Sequence, residues 1–180
     1  MENLYLLLVI VLAVLAIGDL IVGVSNDAVN FLNSAVGSKA ISLRTIMILA
    51  GLGVAFGAFF SSGLMEVARK GIFNPGEFYF DEIILIFTAV MLTDILLLDF
   101  FNTLGMPTST TVSIVFELLG AAVFMSLIKI TSSSGEISDL INYINTSKAI
   151  QIISGIVLSI IVALTVGAIV QWICLSLIHI

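Results

Sequence analysis

Basic charge, histidine and cysteine are nearly missing from this sequence. Six lysines and arginines face twelve aspartates and glutamates across 180 residues, for a net charge of −6. Nucleic acids and anionic lipid surfaces are bound through basic clusters, and the sequence contains none, which argues against both as partners. The single cysteine, Cys174, cannot form an internal disulfide, and in its apolar run it reads as a packed or lipid-facing thiol. The single histidine, His179, reads as a residue at a membrane interface rather than a ligand. One histidine and one cysteine near the chain end supply neither a nucleophile with its base nor a metal cluster, so the sequence is not that of an enzyme. No basic region precedes the first apolar run, where Glu2 stands instead, and no small-residue cleavage site follows it. That run is therefore expected to be a retained helix rather than a secretory signal.

What is present in excess is apolar: 60% of residues are hydrophobic and only 10% charged. Crossing a bilayer takes about 20 apolar residues, and runs of that kind begin near Leu4, Thr45, Ile83, Thr111 and Ala149. The expected fold is an all-α polytopic membrane protein with about five transmembrane or re-entrant helices, the whole of 1–180 forming one membrane domain. The last run, from Ala149 to Ile180, is too long for one ordinary span and requires either a break near Gly167 or a long tilted helix. Because the chain stops inside that run, the sequence is expected to be the N-terminal part of a longer protein. The stretch MEVARKGIFNPGEFYFDE, with Asn74-Pro75-Gly76 as a turn and Phe73, Phe78, Tyr79 and Phe80 around it, reads as an interfacial connection. TSSSGEISDLINYINTSK reads as a solvated loop, and Gly53 and Gly57 as a helix-packing pair. If the elements alternate, Arg69, Lys70, Lys129 and Lys148 share one side and Lys39 and Arg44 the other, which favours a cytoplasmic N-terminus.

Two polar constellations interrupt this background. On a helix of ~100° per residue, Asn26, Asp27, Asn30, Asn33, Ser34, Gly37 and Ser38 fall within roughly 140° of arc, and apolar residues take the rest. A solvated surface helix would use Lys and Glu on such a face; this one uses amides, hydroxyls and one carboxylate. The second constellation is GMPTSTTVS, from Gly105 to Ser113. Pro107 suits the first turn of a helix, and the glycine before it permits a sharp entry. Free backbone N–H groups at that terminus, joined by the hydroxyls of Thr108, Ser109, Thr110, Thr111 and Ser113, make a donor-rich pocket suited to an oxyanion. Simple capping by one hydroxyl is the plainer alternative.

Carboxylates add a third pattern. Asp19, Asp27, Asp94, Asp99 and Glu117 lie in or beside apolar segments, where an acidic group at the bilayer centre costs ~2.5 to 3.5 kcal/mol and marks ion or proton pathways. An anion bound near carboxylates requires a cation or proton with it, which amounts to coupled transport. Asp27, in the polar stripe, and Glu117, one turn beyond Ser113, rank first. Asp94 and Asp99 lie about 140° apart on a helix and should not share a site. Asp99 reads as an interface residue, and Asp19 has no partner in the sequence pattern.

At these motifs the chain resembles the inorganic phosphate transporter family of cation-coupled phosphate carriers. NDAVNFLNSAVGSKA keeps the spacing of the family's first signature through Asn26, Asp27, Asn30, Val36, Gly37, Ser38, Lys39 and Ala40, and PTSTTVS follows its second. Val24 and Asn33 stand where that signature has glycines. Val112 stands where it has a histidine, so proton coupling through that histidine is not available here. The resemblance implies that Asn26, Asp27, Thr108, Ser109, Thr110 and Thr111 bind phosphate. Asp27, Asn30, Asn33, Ser34 and Glu117 are the candidates for the coupling Na⁺ or H⁺, with no other cofactor.

The resemblance also implies a two-repeat, inverted architecture in which this chain is the first repeat, completed by a C-terminal repeat or by a second copy in a homo-oligomer. The expected function is symport of inorganic phosphate with Na⁺ or H⁺ by a multi-pass protein of the cell (inner) membrane. Sulfate or another oxyanion is the near alternative, and a non-transporting structural or assembly subunit the distant one. Protonated phosphate can donate a hydrogen bond to Asp27 and sulfate at neutral pH cannot, which favours phosphate.

Overall fold

The computed structural model describes residues 2–61, 71–133 and 135–178. Arg69, Lys70 and His179 therefore lie outside the described residues. The chain divides into two compact units, Met1–Asn145 and Thr146–Ile180. In the first, α1 spans Glu2–Ser38, α2 Leu43–Phe59, α3 Phe80–Thr103, α4 Thr110–Ser132 and the short α5 Leu140–Tyr143. The second unit is one helix, α6, Thr146–Ile178. Among the described residues, four helices, α1, α3, α4 and α6, are long and apolar enough to cross a membrane, while α2 is a shorter apolar helix. The protein is an all-α, multi-pass integral membrane protein.

The polar stripe of residues 26–38 continues the first apolar helix without interruption, so α1 is 37 residues long. At ~1.5 Å per residue it is about 55 Å in length, well beyond the ~30 Å of a hydrocarbon core, and its amide-rich end extends past the purely apolar part. Lys39 closes it in the left-handed conformation (φ 53°), and Ser42 then caps α2 by accepting from the Thr45 N–H at 3.3 Å. For α6, the long-helix alternative holds: it runs unbroken through Gly167.

The first unit is organised by α3, which packs against both α1 and α4. Its buried side chains, Ile84, Ile86, Val90, Asp94 and Leu98, and those of α4, Val115, Leu118, Ala122, Ser126 and Ile130, recur at helical spacing and form one stripe on each helix. Gly18 and Gly23 of α1 allow α3 to approach: a Cβ at Gly18 would lie 3.5 Å from Ile95, and one at Gly23 would lie 3.8 Å from Leu98 and Thr110. Gly53 and Gly57 do not play that role here, since no described atom lies within 4 Å of a Cβ built at either. Large apolar side chains on the remaining faces are exposed, as expected where the solvent is lipid.

Two connections are held by tertiary contacts. Phe73 and Phe78 are buried within the protein, with Phe73 edge-on against Phe78 and Phe87, while Tyr79 and Phe80 are exposed. The loop after α4 is not wholly solvated: Ile144 is buried and pairs with Phe73 in a short antiparallel bridge, through Asn74 N to Tyr143 O at 2.8 Å and Asn145 N to Ile72 O at 3.0 Å. Aromatic surface and unpaired backbone groups on each segment are satisfied by the other, a tertiary match that neither segment reveals alone. Lys129 fastens the same corner. Its ammonium donates to Glu82 Oε2 at 2.8 Å and to the Glu77 carbonyl at 2.7 Å, and lies 4.4 Å from the centre of the Tyr79 ring.

Candidate functional site

The turn between α3 and α4 is shaped by one glycine. Gly105 adopts φ +67°, its N–H bonds Asn102 O at 3.1 Å, and the Met106 N–H bonds Phe101 O at 2.9 Å. This pair of bonds is the Schellman ending of a helix, and the left-handed residue between them is the place where glycine has no steric penalty. Pro107 and Thr108 belong to no regular element, and Ser109, in an extended conformation, caps α4 by accepting from the Val112 N–H at 3.4 Å. Pro107 is therefore not in the first turn of the helix, as its type suggests, but two residues before the cap. Ser109 takes the capping role, so the helix begins at Thr110.

Against this turn lies the polar face of α1. Asn26 is fully buried; its amide donates to Asn102 Oδ1 at 2.8 Å, and its carbonyl oxygen accepts from the Thr108 N–H at 3.2 Å. Asn102 in turn reaches the Val22 carbonyl at 3.5 Å. One turn further along α1, Asn30 donates to the Thr108 carbonyl at 3.1 Å. Both backbone groups of Thr108 are thus held by asparagines four residues apart, the spacing that puts two side chains on one helix face. Between them, Asp27 accepts from the Thr110 hydroxyl, whose oxygen lies 3.1 and 3.0 Å from the two carboxylate oxygens. The carboxylate sits at the first residue of α4, where the positive end of the helix favours a negative group.

The structure therefore joins Asn26, Asp27 and Asn30 to Thr108 and Thr110, residues more than seventy positions apart in the chain. Ser109 and Thr111 are exposed beside them, and Asn33 and Ser34 are exposed on the next turn of α1. Glu117 does not join this group. It lies seven residues beyond Thr110, accepts from the Ser113 hydroxyl at 2.8 Å, and meets Asp94. Asp94 is buried and Asp99 exposed, as their angular separation requires. Asp19, without a partner in the sequence pattern, also reaches Asp94.

Asn102 is the site residue that the motifs miss. It belongs to neither constellation, and its only sequence signal is an amide in the last turn of an apolar helix.

Chemically, the arrangement offers hydroxyls and a helix N-terminus to an oxyanion, with one carboxylate beside them. Thr110 supplies a single hydrogen, whereas a carboxylate has about four acceptor positions, so Asp27 retains room to accept from a protonated oxyanion or to hold a cation.

Comparisons with known proteins identify the family of the chain. A model of a family described as the phosphate transporter family matches residues 23–179. A protein named as a phosphate permease from Thermococcus kodakarensis is 36% identical over 99 residues, covering 53% of this chain and 24% of the relative. One from Pyrococcus furiosus is 37% identical over the same length, with the same coverage. One from Helicobacter pylori is 34% identical over 99 residues, covering 54% of this chain and 19% of its own length. The match thus spans about a quarter or less of the curated relatives' length. No solved structure matches the chain.

Proposed function

Because the chain belongs to the phosphate transporter family, we propose that it is one repeat of a secondary transporter that imports inorganic phosphate by symport with Na⁺ or H⁺. The observation that carries this reading is the contact between the two motifs, in which Asp27 accepts from Thr110 while Asn26 and Asn30 hold Thr108 in place. Asparagine braces of this kind fix the Thr108–Thr111 segment in advance, so its hydroxyls and amides meet an oxyanion without first being ordered.

The proposed division of labour follows from exposure. Ser109, Thr111 and the Thr110 amide face the phosphate, and Asp27 accepts its acidic proton or a cation that accompanies it. Asn30, Asn33 and Ser34 line the approach along α1. Asn26, although in the motif, holds the loop from behind, since its buried amide is engaged by Asn102 and Thr108. Donors without arginine suit a carrier, because release on the far side requires modest affinity. A second, inverted repeat or a second copy in a homo-oligomer would close the site from the opposite side, as in transporters whose broken helices present their termini to a solute at the midplane.

Uptake of labelled phosphate into proteoliposomes of the protein purified from its membrane tests the proposal. Accumulation driven by a Na⁺ or pH gradient and unaffected by excess sulfate supports it. Accumulation of sulfate in place of phosphate moves the assignment to another oxyanion.

A further inference from the structure

Three helices each turn one carboxylate inward at the same level: Asp19 from α1, Asp94 from α3 and Glu117 from α4. Asp94 is 1% exposed and lies within the α3 stripe between Val90 and Leu98. The carboxyls of Asp19 and Glu117 each lie within hydrogen-bonding reach of that of Asp94. One oxygen of each, Asp19 Oδ1, Asp94 Oδ1 and Glu117 Oε2, is buried with no protein donor. The Ser113 hydroxyl serves Glu117 Oε1 alone. No basic residue answers the cluster from within these helices. Residues 2–38 and 80–103 contain no lysine or arginine, and α4 has only Lys129, twelve residues past Glu117 and bound to Glu82.

Carboxyl groups in contact repel one another when both are ionised, and they attract when one carries a proton and donates it to the next. Burial in a membrane helix bundle strengthens both effects. A single monovalent metal ion would leave two negative charges unanswered, whereas protons neutralise each carboxylate where it stands. The titratable groups that face Asp94 are Asp19 and Glu117. Asp99 on its own helix is exposed, and Asp27 on α1 is held by Thr110.

We propose that Asp19, Asp94 and Glu117 form a proton-binding site, separate from the amide and hydroxyl site, and that its protons are the ions that accompany phosphate. Binding breaks one O–H bond of hydronium and makes one on a carboxylate oxygen, which then donates to its neighbour. Release on the other side of the membrane breaks that carboxyl O–H bond and remakes hydronium from water. Thr110, Ser113 and Glu117 stand at i, i+3 and i+7 of α4, one face of the helix, so the two sites adjoin along it over about 10 Å. An anion arriving at Thr110 favours protons at Glu117, and protons there favour the anion, which is reciprocal coupling. The coupling half of the proposal rests on the transport reading above; the proton site itself does not.

Infrared difference spectroscopy of the wild-type protein in lipid vesicles reads the site directly. The expected result is a protonated-carboxyl band at neutral pH that shifts in heavy water, is unchanged by added Na⁺, and weakens in Asp94→Asn and Glu117→Gln. Absence of the band in the wild type, or its loss on adding Na⁺, overturns the proton site. In proteoliposomes with an imposed pH gradient, Asp94→Asn should lower phosphate accumulation at least tenfold and leave the remainder insensitive to pH. Wild-type accumulation by that variant overturns the coupling. A wild-type protein that shows the band but takes up no phosphate retains the proton site and removes the transport reading, whereas uptake without the band does the reverse.

Discussion

The Thr110 hydroxyl lies 3.1 and 3.0 Å from the two carboxylate oxygens of Asp27, so the first residue of α4 is tied to the start of the amide-rich face of α1. Each motif alone has a plainer explanation, one as an amphipathic helix and the other as a capped helix start. Their contact is what makes a single site of them.

Thr110→Ala removes this hydroxyl and leaves a half-buried carboxylate without its donor. A hydrogen bond to a charged group contributes about 1.5–3 kcal/mol, which corresponds to roughly a 10- to 150-fold loss. Phosphate uptake measured against concentration should fall within that range, and Thr110→Ser should recover most of it. Equal loss in both variants would assign the effect to the methyl group instead.

Asn26 acts through position rather than contact. Asn26→Ala deletes two hydrogen bonds and leaves Asn102 and the Thr108 N–H without their partner, at about 1–3 kcal/mol for each group orphaned in the interior. The melting temperature should drop, and Asn102→Ala should add little to it. In a double-mutant cycle the two single losses should therefore sum to more than the double.

Gly23 is spaced for one carbon and no more. A Cβ there would meet Leu98 and Thr110 at 3.8 Å, which is ordinary contact. Gly23→Ala should transport normally, whereas Gly23→Leu should force α1 from α3 and abolish uptake. A fully active leucine variant would show that this approach does not matter.

Lys129 is a corner fastening whose loss should be felt in stability and not in phosphate affinity. It and Glu82 are partly exposed, at 22% and 18%, so the ion pair itself is worth at most about 1 kcal/mol. The carbonyl contact with Glu77 and the Tyr79 ring add to it. Lys129→Met should lower the thermal midpoint measurably while the concentration for half-maximal uptake stays unchanged.

The spans and both motifs were legible in the sequence because each is a local pattern: an apolar run, a 3.6-residue stripe, a row of hydroxyls ahead of a helix. The side-chain contacts between helices were not. Nothing near Asn102 says that its amide meets Asn26, and Asp19 and Asp94 are merely two acids in apolar helices until α1 packs on α3. Glu117 shares a helix face with Thr110, but about two turns of helix separate them, and its approach to Asp94 depends on how α3 packs on α4. The burial of Phe73 and Ile144 has no local signal either, because the bridge between them joins distant segments. Gly18 and Gly23 lack the four-residue spacing of Gly53 and Gly57 yet are the glycines that α3 approaches, since spacing shows which glycines could admit a helix and not which helix arrives.

The most direct test of the central claim is uptake of labelled phosphate by proteoliposomes of the wild-type protein and of Asp27→Asn, with the driving gradient imposed and sulfate in excess. The account predicts gradient-driven accumulation by the wild type that sulfate does not reduce, and a loss of at least tenfold in Asp27→Asn. Undiminished accumulation by Asp27→Asn would contradict it, because the carboxylate that joins the two motifs would then have no part in transport.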